Sequence, residues 1–208
     1  MKKLTFRYLG KQPLYKVWQE MKYFTHNRNF KTNDEVWFAE HPPVYTMGMN
    51  SNESHILEKS EIPILNLDRG GQVTYHGPGQ LIVYMMFDLK RLKIGIRDYV
   101  ISIEKIIIET VKYFGVDAIG KRSAPGVYVG GRKIAAIGLK VKKNCSYHGF
   151  SLNIDMDTKP FNIINPCGYE GLEVTQLKDL CGVSDLELVS SKVKSNINLI
   201  FNDIANGR

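Results

Sequence analysis

The chain has 208 residues, 43% hydrophobic and 24% charged, a balance that supports a packed core and excludes a disordered or collagen-like chain. The longest apolar run, Leu81 to Phe87, is strand-sized, so no membrane span is expected. Lysine and arginine number 28 against 21 aspartates and glutamates, and the resulting +7 points to an acidic partner, either nucleic acid or a transiently docking protein.

Leu4 to Leu9 alternates as a strand, and Pro13 then opens a helix whose core face is Leu14, Val17, Trp18, Met21 and Phe24. Val36 to Ala39 reads as a buried strand, His41-Pro42-Pro43 as a stiff turn, and Val44 to Gly48 as a further strand. Asn50 to Ser54 is a polar, mobile loop, and Ile62 to Leu67 is a strand. After a glycine-rich turn, Leu81 to Leu89 is a central strand. Arg97 to Phe114 is an amphipathic helix with Gly115 as its C-cap. Val127 to Val129 and Lys133 to Val141 form a hairpin about Gly130-Gly131. Tyr147 to Ile154 is a strand, Thr175 to Leu180 a short helix ended by Gly182, and Leu186 to Ile204 a terminal helix. The expected architecture is one mixed α/β domain over residues 1–208, built around antiparallel hairpins.

The densest cluster is Arg69-Gly70-Gly71-Gln72-Val73-Thr74-Tyr75-His76-Gly77-Pro78-Gly79-Gln80. Four glycines and a proline there argue against a regular element and for close approach of backbone to a ligand. It matches neither the dinucleotide nor the P-loop fingerprint, so a phosphate role is not supported. Arg69 and His76 are the residues that a plain turn leaves unexplained; His76 and His148 together offer donors for a carbonyl, and Tyr84 faces the same side as the loop or belongs to the core.

Cys167, held between Pro166 and Gly168, has a fixed approach on one side and no crowding on the other. Lys133 sits among small and apolar residues, where desolvation disfavours its charged form. A neutral amine beside a thiol takes its proton and leaves a thiolate, the species that attacks carbonyls. Taken alone, these two residues fit a structural cysteine and a solvated lysine better. The three cysteines lack metal-ligand spacing; Cys145 and Cys181 are assigned structural roles, no disulfide framework or metal is indicated, and a reducing cytoplasm is expected.

Five segments in one order change that balance. Glu40 to Gly48, Arg69 to Gln80, Gly131 to Gly138, His148 to Asn153 and Pro166-Cys167-Gly168 together resemble the octanoyltransferase family, also called lipoyl(octanoyl) transferases. The resemblance implies an α+β fold with a largely antiparallel sheet flanked by helices, shared with the catalytic domains of biotin and lipoate protein ligases. It implies that octanoyl passes from octanoyl-acyl carrier protein to a lysine of a lipoyl domain, on a 2-oxoacid dehydrogenase E2 subunit or glycine cleavage H protein. By the same resemblance Cys167 is the acyl-thioester nucleophile and Lys133 the lysine that activates it. The substrate-contacting positions are Arg69, Gly70, Gly71, Gln72, Val73, Thr74, Tyr75, His76, Ala136, Ile137, Gly138, Gly149, Phe150 and Ser151, with Tyr84 and His148 in support. Backbone N–H groups near Gly168 or Gly70-Gly71, helped by His76, are the expected oxyanion donors.

No cofactor, nucleic acid or membrane is then needed, the positive charge serves to steer acidic protein partners, and a monomer is expected. Three other readings stand beside this one, among them an amidotransferase that moves octanoyl between lipoyl domains. An ATP-dependent lipoate or biotin ligase would share the fold, but the short stretch after Cys167 leaves no room for the extra C-terminal domain common in ligases. A non-catalytic basic binding module leaves the glycine loop, Lys133 and Pro166-Cys167-Gly168 without a purpose.

Overall fold

The computed structural model describes residues 4–121, 124–205 and 207. Its strands are β1 (Thr5–Lys11), β2 (Glu35–Glu40), β3 (Val44–Met47), β4 (Ile64–Asn66), β5 (Thr74–His76), β6 (Gln80–Met86), β7 (Ile119–Gly120), β8 (Gly126–Val129), β9 (Arg132–Lys142) and β10 (Cys145–Asn153). The helices are α1 (Leu14–Asn27), α2 (Leu89–Leu92), α3 (Ile96–Tyr113), α4 (Leu177–Cys181) and α5 (Leu186–Ala205). A seven-stranded sheet runs β1-β2-β6-β10-β9-β8-β7, and a smaller one runs β4-β3-β5. Among the described residues the ladders of β1 with β2 and β3 with β4 are parallel and the other strand ladders are antiparallel. The mixed, largely antiparallel fold read from the sequence is the one observed.

The central strand β6 shows why the sheet is covered on both faces. All seven of its residues are buried, and their side chains alternate across the pleat. Leu81, Val83 and Met85 pack on α3 and α5 through Tyr99, Ile103, Ile106, Ile107, Val193, Ile197 and Phe201. Ile82, Tyr84 and Met86 face α1 through Val17 and Met21. Each such aliphatic side chain contributes about 1.5–3 kcal/mol by burial, so the two apolar helix faces fix which side of β6 meets which layer. The functional cleft lies on the α1 side, where Ile82 and Tyr84 share it with the small sheet and its following loop.

Four departures from the sequence reading matter for the site. The glycine-rich segment contains a regular element after all, because β5 pairs with β3. Leu89 opens α2 rather than ending β6; Asp88 caps that helix, its side chain accepting from the Arg91 N–H. The 50–54 loop runs into a 3₁₀ turn, Glu53–His55, and the Asn52 N–H donates to Gln72 Oε1 at 3.0 Å. Thr175 and Gln176 are extended and precede α4, since Thr175 is held by the backbone of Lys133.

Candidate active site

Cys167 lies in a 3₁₀ turn, Pro166–Gly168, and takes φ 59°, ψ 16°, the left-handed region that a residue with a Cβ enters at a cost of about 1–2 kcal/mol. Hydrogen bonds on both sides hold it there. Its N–H donates to the Val73 carbonyl at 3.0 Å, the Gly168 N–H to Asn165 at 2.9 Å, and the Asn165 N–H to His55 at 2.8 Å. Gly168 has φ 80°, and a Cβ at that position would lie 2.8 Å from Gln72 Cγ. The turn therefore presents Cys167 Sγ to the cleft against the flank of the glycine loop.

Lys133 reaches that sulfur from the opposite wall. The β8–β9 register shifts by one residue between Val127 and Tyr128, a bulge that re-aims the side chains of β9. The freed backbone of Lys133 is taken up by the segment before α4: its N–H donates to Glu173 and its carbonyl accepts from Thr175, both at 2.9 Å. The side chain is 3% exposed, and Nζ lies 2.8 Å from Cys167 Sγ. Gly126, with φ 146°, makes room for it; a Cβ there would sit 2.7 Å from Lys133 Cε and 2.6 Å from the Ala135 carbonyl.

The charge on Lys133 is opposite to the neutral amine expected from its apolar setting. Burial does pull the ammonium down, but the charge and hydrogen bond of Cys167, joined by Tyr128, outweigh it, and the net pKa is above that of ordinary lysine. The lysine is thus an ammonium hydrogen-bonded to the Cys167 sulfur, rather than the neutral base its apolar setting suggests.

A cleft of about 380 Å³ joins the two residues to the segments singled out in the sequence. Arg69, Gly70, Gly71, Gln72, Thr74, His76, Tyr84, Ala136, Ile137, Gly138, His148, Gly149, Phe150 and Ser151 all line it. Val73 and Tyr75 do not, because alternation along β5 turns them to the other face. There they pack with Tyr45, Met47, Met156, Phe161 and Ile164. The part Val73 plays at the site is through its carbonyl, on the Cys167 N–H.

Arg69 is 8% exposed and spends its guanidinium on the loop itself. It donates to the Thr46 carbonyl at 2.7 Å, Thr46 Oγ1 at 2.8 Å, the Gln72 carbonyl at 2.9 Å and the Gly70 carbonyl at 3.0 Å. Burial lowers its pKa to about 10, so it remains a cation. Gly48 is the residue that lets the clamp close, since a Cβ there would lie 2.8 Å from Arg69 Nη1.

His76 is likewise committed inside the protein. Nδ1 is 2.7 Å from Gln80 Oε1, and Nε2 is 3.4 Å from Thr46 Oγ1, which Arg69 already supplies. Burial pushes its pKa down to about 3, so the ring is neutral. From Gln80 the chain of bonds continues to Asn153 at 2.8 Å, then to the Thr175 carbonyl at 3.0 Å, and Thr175 in turn holds Lys133. The glycine loop and the lysine are thereby parts of one buried network. The N–H groups of Gly168 and Gly70 are engaged, on Asn165 and Leu139, so these two of the expected oxyanion donors are in use elsewhere.

Tyr84 and His148 belong to two further nodes. The Tyr84 hydroxyl is 2.7 Å from Nε2 of His41, the first residue of the His41-Pro42-Pro43 turn. His148 Nε2 lies 2.9 Å from Asp68 Oδ1, and Asp68 also accepts from Trp18 Nε1 at 2.8 Å and the Tyr147 hydroxyl at 2.5 Å. Burial raises the Asp68 pKa, but His148, Tyr147 and Trp18 more than offset it and hold the carboxyl well below its ordinary range. Thr46, Asp68, Gly126 and Asn153 were therefore missed as supporting residues, although three of them sit within or beside the quoted motifs. Among the described residues no group of histidine, cysteine or acidic side chains is arranged to hold a metal ion.

A model of the lipoyl protein ligase A/B catalytic domain matches residues 13–197. The chain belongs to that family. Among the family's members, the octanoyltransferase of Vibrio vulnificus (strain YJ016) is 48% identical over 198 residues, covering 95% of this chain and 91% of the relative. The expected place among octanoyltransferases holds. The solved structure of a lipoate-protein ligase A bound with ATP has a TM-score of 0.80 at 12% identity, over 95% of this chain and 85% of that one. Biotin protein ligase from Aquifex aeolicus gives 0.59 at 12% identity, over 99% and 71%. At such identities the likeness is one of fold, as anticipated. No helix among the described residues is long and apolar enough to cross a membrane.

Proposed function

We propose that this chain transfers octanoyl from the thioester of an acyl carrier protein to a lysine of a lipoyl domain, through a thioester on Cys167. The observation that carries this reading is the 2.8 Å contact between Lys133 Nζ and Cys167 Sγ in a cleft lined by the glycine loop. Family membership among octanoyltransferases supports the choice of acyl group.

In the first half-reaction the Cys167 thiolate attacks the carbonyl carbon of the donor. A C–S bond forms, the tetrahedral intermediate collapses, and the carrier's thiolate leaves with a proton from the Lys133 ammonium. In the second, the acceptor amine attacks the new thioester and passes a proton to the now neutral Lys133. Collapse forms the amide and expels the Cys167 thiolate, which restores the starting couple. One thioester is exchanged for another and then for a more stable amide, so no nucleotide is consumed.

Leu14, Leu67, Ile82 and Tyr84, all buried, line the cleft and give it an apolar wall that suits an alkyl chain at about 0.8 kcal/mol per methylene.

Intact mass spectrometry after mixing with octanoyl-acyl carrier protein tests this. The chain should gain one octanoyl group, lose it on addition of an apo lipoyl domain, and stay unmodified in the Cys167→Ala variant. An adduct that survives that substitution removes Cys167 as nucleophile. Labelling only with free octanoate and ATP would turn the reading toward a ligase.

A further inference from the structure

We propose that Tyr84, locked in place by His41, is the stop that sets how long an acyl chain the cleft accepts: its ring stands across the path of a chain that extends from Cys167. The proposal rests on the assignment of Cys167 as the acylated residue given above.

The apolar lining of the cleft is uneven. Leu14, Leu67, Ile82 and Tyr84 are buried, whereas Ile96 is 56% and Tyr169 43% exposed. An alkyl chain is shielded from water on the buried side, where each methylene is worth about fourfold in affinity. That is the direction it takes from the sulfur.

Strand register sets how far it can go. Ile82, Ser151 and Ala136 form one row across β6, β10 and β9, and Tyr84, Gly149 and Gly138 form the next row on the same face. All six line the cleft. The second row holds two glycines and so adds one side chain, that of Tyr84. Gly138 lies five residues beyond Lys133 on β9, about 16 Å at the rise of a strand. Tyr84 is two strands across from β9, about 10 Å, which puts roughly 19 Å between the Lys133 and Tyr84 Cα atoms. Eight carbons joined by bonds near 1.5 Å extend about 10 Å. The Lys133, Cys167 and Tyr84 side chains take up the remainder, so an octanoyl chain on Cys167 ends against the ring.

Leucine and isoleucine can change rotamer to admit a longer chain, but Tyr84 is held at its tip. Its hydroxyl is 2.7 Å from His41 Nε2, and His41 Nδ1 is 2.6 Å from the Gln12 carbonyl. A carbonyl only accepts, so Nδ1 carries the ring proton and Nε2 accepts from the tyrosine hydroxyl. Burial lowers the His41 pKa and keeps this tautomer neutral. His41 is fully buried, and Pro42 and Pro43 after it restrict its backbone. Swinging the Tyr84 ring aside would leave two buried polar groups unpaired, which costs more than one further methylene returns.

The test measures the cleft from Cys167 with n-alkyl methanethiosulfonates, ethyl to dodecyl. The Cys167 sulfur forms a mixed disulfide with the reagent's alkylthio group and methanesulfinate leaves. Neither carrier nor acceptor takes part, so the measurement stands apart from the transfer reaction. The exposed Cys181 is replaced by serine in every protein, and Cys145 is buried. Labelling rates read by intact mass should rise with length to about octyl and then fall. In Tyr84→Ala the fall should begin two or more carbons later, with the decyl-to-octyl rate ratio raised about fifteenfold, the worth of two methylenes. His41→Leu leaves the lining untouched and frees the ring, and should raise the ratio about fivefold, the worth of one hydrogen bond. A folded Tyr84→Ala protein whose profile overlays the parent's overturns the proposal, as does a parent profile with no fall beyond octyl. Should Tyr84→Ala fail to fold, Tyr84→Phe keeps the ring and removes its anchor; the ratio should rise as in His41→Leu, and an unchanged ratio is equally decisive. If octanoyl transfer from the carrier fails while these shifts appear, the functional reading falls and the role of Tyr84 stands.

Discussion

Lys133 is a cation in a site that burial alone would make neutral, and this sets what its substitution does. Lys133→Ala removes the proton carrier that is hydrogen-bonded to the Cys167 sulfur. Octanoyl transfer should drop by about 10²–10⁴, the usual worth of a positioned acid–base group, and alkylation by iodoacetamide should need higher pH. Lys133→Arg separates the two duties. A guanidinium keeps a positive charge beside the sulfur but cannot give up its proton. Alkylation at neutral pH should therefore resemble the parent more than Lys133→Ala does, while turnover is lost. Equal turnover in the arginine variant would show that charge, and not proton transfer, is what the lysine supplies. The strained backbone of Cys167 belongs to the same scale: a φ of 59° is maintained by the Val73, Asn165 and His55 bonds on the turn, so the nucleophile is held by its neighbours' main chains.

Strand β9 shows how an element places its chemistry. Its bulge turns Lys133 toward the cleft, and Gly126 on β8 leaves the space the side chain crosses. Gly126→Ala should push the lysine aside, and a misplacement near 1 Å costs about 10²-fold in rate. Steady-state transfer should fall that far while the far-UV circular dichroism stays native; full activity in a folded Gly126→Ala protein would mean that the lysine does not need this path. Neither the bulge nor the cavity could be read from residue order, since Ile134, Ala135 and Ala136 are apolar in succession and offer no alternation in which a one-residue slip would show. What periodicity does record was recovered: Val17 and Met21 on α1, Ile103 and Ile107 on α3, the hairpin at Gly130-Gly131. The site was legible as motifs because glycine, proline and cysteine in fixed order carry backbone demands. Within those motifs, partner choice was not. Val73 and Tyr75 turn away by strand alternation once β5 forms, His76 and Arg69 serve the scaffold, and Asp68 is defined by bonds to residues 50 or more positions away.

Three histidines, His41 and His148 buried and His76 half-buried, make the fold as a whole sensitive to acid. Burial lowers the pKa of His41, His76 and His148, for His76 to about 3; the Gln12 backbone opposes it at His41 and Asp68 opposes it at His148. An unfolded chain binds protons at these residues near pH 6.5. Between that value and the lower native one the unfolded state carries the extra proton, so stability is fully present above about pH 6.5 and declines as pH falls. His76 alone should cost about 1.4 kcal/mol per pH unit across that interval. Asp68 acts in the same direction, but only near and below the ordinary carboxylate range, so the interval between about pH 6.5 and pH 5 reports the histidines. Urea midpoints measured across it should fall steadily in the parent chain. His76→Gln, which cannot take up a proton in either state, should be less stable at neutral pH, because the Gln80–Asn153–Thr175 network loses its ring, yet its midpoints should fall less steeply by one histidine's share. The slope decides the matter and not the midpoint itself. Parallel slopes for the two proteins would mean that His76 is protonated in the native state, and the neutral ring that ties the glycine loop to Lys133 would have to be given up.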